Sequence, residues 1–490
     1  MPRRPIPAVP LPDFTRARDG RPRAVVIGAG MAGLVAARDL AAAGYAVTVL
    51  EAADRAGGCV GRHTVAGHVL DSGAESFATR TSAVADLATG LGLGDALVRP
   101  NPAGAWVQLP SGAVPLPKTG ILGIPADPGA PEVRAALGRA GSLRAAADRW
   151  LPASVGTSGE TKSIAELVRA RMGSAVLDRL VGPVVGGVHS ADPALLDVDM
   201  VAPGLRAAVR THGSLAAAVT ALRGAGSTPG SAVAGISGGM HRLVGALLGA
   251  LTAAGVVVTL GARAGTITRT DDGGWLVSAG RAGSAGRTDA PGSLDYAAEL
   301  LVIATDGPTA VRLLTPAIPQ AAAYAPQSGP DVALVTLVVD RPELDARPRG
   351  TGVLVAPHTP GIRAKALTHA SAKWDWLGAG LDPGVHVLRL SYGRAAEDAT
   401  APDAELLAAA LGDAAALLHV PLAARDVLGS DVVRWPGTLP FAAVGHRKKV
   451  QAFRALAAGQ GGLLVLGGWL AGNGLAAVVA DASAQVAALA

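Results

Sequence analysis

The chain has 490 residues, enough for about two to four domains. Half of the residues are hydrophobic and 17% are charged, so the composition excludes a mostly disordered chain and predicts a sizeable core. Only 3% are aromatic and the net charge is +5 without a long basic run, which argues against nucleic acid as a partner. Only six of the 43 basic residues are Lys; the excess of Arg reflects either a coding bias or a use of guanidinium groups to bind carboxylates.

The number of Cys residues and the apolar segments indicate the cellular compartment in which the protein is expected. The single Cys, Cys59, excludes a disulfide within the chain and a Cys-based metal site, and it fits a reducing cytosol. Residues 1–22 carry Pro and charge but no continuous apolar stretch of a secretory signal, so we expect a flexible arm. Residues 461–480 are nearly uncharged, but Gly pairs interrupt them, which favours a strand, a turn and a buried helix over a membrane span. We therefore expect a cytoplasmic protein without an integral membrane segment.

Residues 23–52 show the strand, Gly-rich turn, helix and strand of a βαβ unit. In the turn, Gly28 permits a sharp bend, Gly30 lets the backbone approach a pyrophosphate, and Gly33 lets the helix pack closely against the strand. Glu51 ends the second strand, where an acidic side chain binds a ribose hydroxyl. The unit predicts dinucleotide binding, with a purely structural Gly turn as the alternative.

The rest of the chain predicts helices in the middle and strands after them. Apolar residues at helical spacing predict a mostly helical region over 117–234, and the Gly- and Ser-rich stretch 223–237 is expected to form a loop. Val and Leu alternate over 331–395, which predicts an antiparallel sheet. Residues 461–490 repeat the strand, Gly turn and helix of the first unit. Because both ends of the chain share this pattern, we expect the cofactor domain to be discontinuous.

A second motif, EAADRAGG over 51–58, follows the Gly turn and is more specific than the turn alone. Its Arg and its Gly pair offer a further anion contact and a close approach of the backbone. Together with LDSGAESF (70–77) and the C-terminal segment, the motif makes the chain resemble the amine-oxidase-like FAD superfamily. Two alternatives stay open. Residues 51–58 could be a surface Arg followed by a turn, and the C-terminal segment could contain a plain core helix.

Within that superfamily the chain resembles the bacterial protoporphyrinogen/coproporphyrinogen oxidases of the Gram-positive, actinobacterial type. The order and spacing of six stretches carry this resemblance: AESFATR (74–80), LPKTGILGIPADP (116–128), VVGGVHSADPALL (184–196), GGMHRLVGAL (238–247), KALTHASAKWDWL (365–377) and RWPGTLPFAAVGH (434–446). The resemblance implies an α/β fold with a Rossmann-like FAD-binding domain, an antiparallel-sheet substrate domain and a helical domain. The expected limits are 1–22 for the arm, 23–95, 235–320 and 430–490 for the FAD domain, 96–116 and 321–429 for the substrate domain, and 117–234 for the helical domain.

The resemblance also implies FAD, held without a covalent bond by separated segments. In the superfamily the last Gly turn faces the pyrimidine end of the flavin, where a helix dipole stabilises negative charge. The implied cofactor-binding residues are Gly28, Gly30, Met31, Ala32, Gly33, Glu51, Ala52, Arg55, Gly57, Gly58, Gly73, Ala74, Glu75, Ser76, Ala264, Thr305, Trp435, Gly468, Gly472, Asn473, Gly474 and Leu475.

The implied substrate, coproporphyrinogen, carries propionate groups, and Arg binds carboxylates through paired hydrogen bonds. Arg80 is therefore the first candidate for substrate binding, with a surface Arg as the alternative reading. Lys118 and Lys365 are further candidates. Gly186 and Gly187 either permit close approach of the macrocycle or break a helix.

The implied reaction removes six electrons from a porphyrinogen in three rounds of flavin reduction, with dioxygen as acceptor and hydrogen peroxide as product. It belongs to haem biosynthesis, prefers coproporphyrinogen over protoporphyrinogen, and allows a transient contact with a ferrochelatase. Because the cofactor carries the chemistry, we expect no acid–base pair among the side chains and no metal site.

Two other classes stay open. An amine oxidase or a carotenoid desaturase would share the superfamily, but amine oxidases line the flavin with an aromatic cage, and the C-terminal motif here offers only Trp469. A flavin- or porphyrin-binding carrier would keep the Gly turn and catalyse nothing. Dioxygen uptake with a porphyrinogen separates the oxidase from the carrier.

Overall fold

The computed structural model describes residues 20–118, 120–159, 162–223, 233–281, 294–393, 399–437, 443–472 and 474–489. Most of the predicted arm and the predicted cofactor residue Asn473 lie outside the described residues.

A run of helices over residues 131–223 separates two regions that contain the strands. The strands are β1 (Arg23–Ile27), β2 (Ala46–Leu50), β3 (Arg62–Val65), β4 (His68–Asp71), β5 (Phe77–Ala78), β6 (Leu97–Val98), β7 (Trp106–Leu109), β8 (Gly112–Pro115), β9 (Val233–Ile236), β10 (Val257–Thr259), β11 (Ala262–Arg269), β12 (Trp275–Arg281), β13 (Leu294–Ala298), β14 (Leu300–Ile303), β15 (Val332–Asp340), β16 (Gly352–Val355), β17 (Ala366–His369), β18 (Val385–Tyr392), β19 (Val427–Trp435) and β20 (Leu463–Val465). The helices are α1 (Met31–Ala42), α2 (Ala83–Gly90), α3 (Pro131–Ala146), α4 (Ile164–Met172), α5 (Ser174–Val176), α6 (Gly182–His189), α7 (Val198–Val201), α8 (Leu205–His212), α9 (Leu215–Arg223), α10 (His241–Ala253), α11 (Gly307–Leu314), α12 (Ala370–Lys373), α13 (Asp375–Gly378), α14 (Asp403–Leu418), α15 (His446–Ala458), α16 (Gly468–Ala471) and α17 (Leu475–Ala487).

A five-stranded parallel sheet contains the predicted βαβ unit, in the order β10–β2–β1–β14–β20. Its apolar side chains alternate between two layers. Ala24 and Val26 of β1 pack with α1, α10 and α17, while Val25 and Ile27 pack with β11, β12, α11 and α15. Strands β1 and β20, from near the two ends of the chain, belong to the same sheet with β14 between them. The discontinuous cofactor domain stays a prediction.

A seven-stranded sheet, ordered β19–β15–β18–β17–β16–β7–β8, forms the second layered unit. Its pairs are antiparallel except for β16 with β7, and β15 pairs with β18 along the run of alternating Val and Leu. One face packs against α14. Strand β19 spans the expected domain limit at residue 430; the limits themselves stay a prediction.

The helices α3 to α9 enclose a core of their own. A buried ion pair fastens it: Arg171 Nε lies 2.5 Å from Asp148 Oδ1, and both side chains are almost inaccessible to water. The second carboxylate oxygen of Asp148 accepts a hydrogen bond from Leu215 N at 2.6 Å, at the start of α9. The pair thus connects the turn after α3 with α4 and the start of α9, and removing one partner would leave a buried unpaired charge at a cost of several kcal/mol.

The expectation of a loop throughout 223–237 is wrong for its last residues, because Val233–Ile236 form β9. This strand pairs with β5 and with β6, which lie more than 100 residues earlier in the chain. Its ladder hydrogen bonds therefore come from distant segments, which local Gly and Ala composition does not indicate. Residues 224–232 lie outside the described part of the chain.

The apolar C-terminal stretch forms β20, α16 and the start of α17, as predicted. Over the described ranges, none of the helices has the length and apolar character needed to cross a membrane.

Candidate active site

The turn between β1 and α1 is closed on one side and open on the other. Gly28 has φ +103°, and a Cβ atom there would lie 2.8 Å from the carbonyl oxygen of Ala304. A Cβ atom on Gly33 would lie 1.9 Å from the carbonyl oxygen of Gly28, so only Gly fits. Around Gly30, by contrast, no described atom lies within 4 Å of the Cβ position, and no described side chain caps the helix that begins there. The N–H groups of the first turn of α1 thus form a site suited to an anion.

Glu51 is fixed beside this turn by backbone hydrogen bonds. Its Oε2 accepts a hydrogen bond from Ala29 N at 2.7 Å, and its Oε1 accepts one from Ala53 N at 2.8 Å. The backbone of Glu51 bonds to Thr259 and Ala262 at the edge of the parallel sheet. An ionised carboxylate has further lone pairs, so Glu51 can still accept hydrogen bonds from a ribose.

The loop at 51–58 packs backbone against backbone on the first turn. Gly57 N donates to Ala29 O at 2.7 Å, and a Cβ atom on Gly58 would lie 3.3 Å from Gly30 Cα. A Cβ atom on Gly57 would lie 2.4 Å from Val60 O. Two Gly-rich segments therefore form one cradle that side chains would fill, which fits the pyrophosphate of a dinucleotide.

Segment 72–76 extends the cradle toward the seven-stranded sheet. Ala74 N donates to Cys59 O at 2.9 Å, and a Cβ atom on Gly73 would lie 2.0 Å from the same oxygen. Trp435, at the end of β19, donates from its Nε1 to Ser72 O at 3.1 Å. The guanidinium of Arg55 lies 5.5 Å from the centroid of the Trp435 ring. These contacts join segments 51–58 and 72–76 to the last residue of β19, Trp435, which is itself a predicted cofactor residue.

Glu75 binds two cations of the seven-stranded sheet unit. Its Oε1 lies 2.5 Å from Lys373 Nζ, and its Oε2 lies 2.8 Å from Arg389 Nη1. Arg389 Nη2 also donates to Gly73 O at 2.8 Å. Burial alone would raise the pKa of Glu75, but the charges and hydrogen bonds of Lys373 and Arg389 outweigh it and lower that pKa to about 2. The sequence analysis did not single out either cation, although Arg389 lies between two Leu residues in a mostly apolar strand.

The C-terminal Gly turn brings a second helix N-terminus next to the first. Gly472 and Gly474 both have positive φ, and α17 begins directly after them. Leu475 is buried in the same core as Met31 and Ala32, so α17 starts beside α1. The remaining predicted cofactor residues fall around this region: Ala52, Ser76 and Thr305 are half-buried, Ala264 is buried on β11, and Gly468 begins α16.

The face of the seven-stranded sheet opposite α14 is partly open. Strand register places Thr336, Thr368 and Arg389 side by side on this face. On this face Thr336 and Arg389 are buried, whereas five further residues are half-buried: Leu334, Leu354, Ala366, Thr368 and Ser391. The face against α14 is buried. Helix α6 approaches the same side, since a Cβ atom on Gly187 would lie 2.7 Å from Leu354 Cδ2. The space between this face, α6 and segment 72–76 is our candidate substrate site.

The predicted substrate residues are not all in one place. Arg80 is exposed just after β5. Lys118 is exposed and donates to Pro102 O at 3.1 Å. Lys365 is 2% exposed, and its Nζ bonds to Ser190 Oγ at the end of α6. Gly186 and Gly187 both lie on α6, where Gly186 has no described atom within 4 Å of its Cβ position. Gly187, Lys365 and the sheet thus meet, and their roles stay predictions.

Comparison with known proteins gives a consistent result. Residues 31–484 match the family described as flavin containing amine oxidoreductase. A coproporphyrinogen III oxidase of Mycobacterium leprae (strain TN) is 30% identical over 472 residues, covering 95% of this chain and 97% of the relative. One of Bacillus subtilis (strain 168) is 24% identical, covering 96% and 98%. The crystal structure of a putative protoporphyrinogen oxidase from Exiguobacterium sp. 255-15 superposes with a TM-score of 0.78 at 25% identity, covering 95% and 98%.

The chain belongs to the flavin containing amine oxidoreductase family. Within the family, the predicted resemblance to the bacterial protoporphyrinogen/coproporphyrinogen oxidases of actinobacterial type is confirmed by these relatives, and so is the amine-oxidase-like fold. Membership implies an oxidoreductase that uses a flavin, and the Gly cradle around Gly28, Gly33 and Gly57 fits such a cofactor.

Proposed function

We propose that this protein is an FAD-dependent porphyrinogen oxidase of haem biosynthesis that converts coproporphyrinogen III to coproporphyrin III. Each macrocycle gives up six hydrogens, as six electrons and six protons, and three dioxygen molecules take them up as three hydrogen peroxide molecules. Each round of oxidation thus transfers two electrons and two protons. We further propose that the protein acts in the cytoplasm and passes its product to a ferrochelatase by transient contact.

The observation that carries this proposal is the similarity to the Mycobacterium leprae coproporphyrinogen III oxidase over nearly the full length of both chains. A similarity confined to the Gly turn would support a nucleotide-binding domain alone. Here it also extends over the helices α3 to α9 and over the seven-stranded sheet, and the sheet and α6 border the candidate substrate site.

We propose that the cofactor is held without a covalent bond, by the residues that the resemblance implies. The first turn of α1 would bind the pyrophosphate, and Glu51 would accept hydrogen bonds from the ribose. Segment 72–76 and the start of α17 would lie along the ring system. When bound, the flavin supplies the two-electron acceptor for each round of oxidation.

On the substrate side, the chain's residues bind, orient and exclude water. Leu334, Leu354 and Ala366 offer an apolar surface to the macrocycle on the open sheet face. Arg80, Lys118 and Lys365 would supply the cations that bind propionates. Gly186 and Gly187 would let α6 approach the macrocycle edge. Because the substrate would sit against this face, loop 72–76 and α6 would cover it from water.

A stoichiometric assay tests the proposal. Purified holoprotein in air should consume three dioxygen molecules per coproporphyrinogen III oxidised, and catalase should return half of that oxygen. Heat-released nucleotide should co-elute with FAD and leave a colourless protein. A yellow holoprotein that consumes no dioxygen with any porphyrinogen would contradict the oxidase and support a carrier. Colour that remains with the denatured protein would contradict non-covalent binding.

A second candidate substrate is protoporphyrinogen IX. It is favoured by the Exiguobacterium relative, which is described as a putative protoporphyrinogen oxidase and shares the fold over 95% of this chain. The same assay with protoporphyrinogen IX, side by side, distinguishes the two substrates.

A further inference from the structure

A buried group of three charges lies where the predicted cofactor segment meets the seven-stranded sheet. It contains one anion, Glu75, and two cations, Lys373 and Arg389, which together leave one uncompensated positive charge. We propose that this Glu75–Lys373–Arg389 unit raises the reduction potential of the bound flavin. The inference rests on the proposed function only in requiring a flavin beside segment 72–76.

The charge of the unit is well defined. The side chains are 16%, 17% and 8% exposed for Glu75, Lys373 and Arg389, so little water screens them. The lowered pKa of Glu75 keeps its carboxylate ionised at neutral pH. Of the carboxylates on neighbouring elements, Asp375 and Asp431 are 70% and 43% exposed, while Asp71 is 9% exposed and is paired with His241 at 2.9 Å. The uncompensated charge therefore acts mainly within the protein.

The unit is connected to the cradle by two hydrogen bonds, the backbone between them and a packing contact. Arg389 Nη2 donates to Gly73 O, and the next residue, Ala74, donates from its N–H to Cys59 O. Cys59 directly follows Gly58, which packs on Gly30 at the start of α1. Among the described residues, Arg389 Nε is buried without a hydrogen-bond partner. A buried donor without a partner costs about 1–3 kcal/mol, so a bound group or water at this position would be stabilised.

The physical basis is electrostatic. Reduction adds electrons to the flavin, and a fixed positive charge nearby favours the electron-rich form in a weakly screened environment. The unit would then make each two-electron transfer from the substrate more favourable. Glu75, Lys373 and Arg389 would act as positioning residues toward the cofactor, because nothing in this argument requires them to touch the reacting carbon.

Opposite substitutions separate this proposal from a purely structural role. If the unit only holds segment 72–76 against the sheet, Glu75→Gln and Lys373→Gln each break an ion pair. Both variants should then shift the flavin midpoint potential in the same direction or leave it unchanged. If its charge matters, Glu75→Gln raises the net charge and Lys373→Gln lowers it. The two variants should then shift the flavin midpoint potential in opposite directions.

The measurement is a spectroelectrochemical titration of each holoprotein at one pH and without substrate. We expect a higher potential for Glu75→Gln, a lower one for Lys373→Gln, and a return toward wild type in the double variant. Lys373→Arg keeps the charge and should keep the potential, so the Lys373 pair tests the proposal even if Glu75→Gln fails to fold. Glu405→Gln is the matched control, because Glu405 pairs with Arg363 at 2.8 Å on a half-exposed surface of the sheet unit.

Shifts of the same sign, or no shift in proteins that retain their flavin, would overturn the proposal. So would a rise in KM for the porphyrinogen in Lys373→Gln at constant potential, because the charge would then serve a substrate carboxylate. Failure of the proposed function would give other results. The wild-type protein would bind no flavin, or the flavin-loaded protein would oxidise no porphyrinogen. The potentials are measured without substrate and do not depend on the second outcome.

Discussion

Gly33 lies so close to Gly28 that a Cβ atom on Gly33 would sit 1.9 Å from the carbonyl oxygen of Gly28. The first helix and the first strand can therefore approach only because Gly33 has no side chain. This contact fixes the open end of the turn, where the pyrophosphate would bind.

Gly33→Ala should abolish flavin retention and lower the free energy of unfolding by about 1–3 kcal/mol, because the turn must open to admit the methyl group. The measurements are the flavin absorbance of the purified protein and a urea unfolding curve. Gly245→Ala is the control: Gly245 is exposed on α10 with no described atom within 4 Å of its Cβ position. Ala there should stabilise by about 0.4–1 kcal/mol and leave the flavin in place. Normal flavin content in Gly33→Ala would contradict the assigned turn.

Glu51→Gln should weaken FAD binding about 10–100-fold, the equivalent of about 1.5–3 kcal/mol for a charge-assisted hydrogen bond. The amide would turn one NH2 group toward the N–H of Ala29 or Ala53, both of which now donate to the carboxylate. Titration of apoprotein with FAD measures the effect. Glu343→Gln, at an exposed pair with Arg341, should bind FAD as wild type does. Equal affinity in both variants would mean that Glu51 does not contact the cofactor.

Arg80→Ala should raise KM for coproporphyrinogen about tenfold, or about 1.4 kcal/mol, through loss of one carboxylate contact. Flavin content should not change, because Arg80 is exposed beyond the cradle. Arg139→Ala, at an exposed position of α3, serves as the control. Loss of flavin, or an unchanged KM, would remove Arg80 from the substrate site.

A buried His pair predicts how stability depends on pH. His369 Nε2 lies 3.0 Å from His386 Nδ1, and His386 Nε2 lies 3.1 Å from Asp345 Oδ1. Burial, with smaller contributions from His386 and Arg347, lowers the pKa of His369 to about 3. Burial also lowers the pKa of His386, although Asp345 opposes the shift.

The unfolded chain takes up a proton at His369 below its ordinary pKa of 6.5, whereas the folded chain does not until about 3. The unfolded state therefore binds more protons in this window, and the free energy of unfolding falls as pH falls, by up to about 1.4 kcal/mol per pH unit. Urea unfolding from about pH 7 to about pH 5 avoids most carboxylate titration. His369→Gln should flatten this dependence and the exposed His212→Gln should not. An unchanged slope in His369→Gln would contradict the buried neutral pair.

Local pattern was enough to predict the elements whose stabilising contacts are near in sequence. The turn at Gly28 to Gly33, the strand before it and the helix after it follow from short-range rules, and so does the alternation of Val and Leu in β15. The motif at 51–58 led to the family, which the relatives confirm. The assignment of individual residues to cofactor and substrate stays a prediction.

Long-range pairing accounts for what the sequence analysis missed. Strand β9 forms because β5 and β6 supply its partners, and it has only four residues within a Gly- and Ser-rich stretch. The cations of Glu75 lie 298 and 314 residues away along the chain, so no local pattern indicates that they meet. A charged residue between two Leu residues of a mostly apolar strand, as Arg389 is, is the signal that could have led to this cluster.

The proposed substrate preference is tested most directly by porphyrin fluorescence. Wild-type holoprotein is mixed in air with coproporphyrinogen III or with protoporphyrinogen IX at equal concentration, and the initial rates are compared. We predict that coproporphyrin forms faster than protoporphyrin. Equal rates, or faster formation of protoporphyrin, would contradict the assigned substrate, and no fluorescence with either would contradict porphyrinogen oxidation itself.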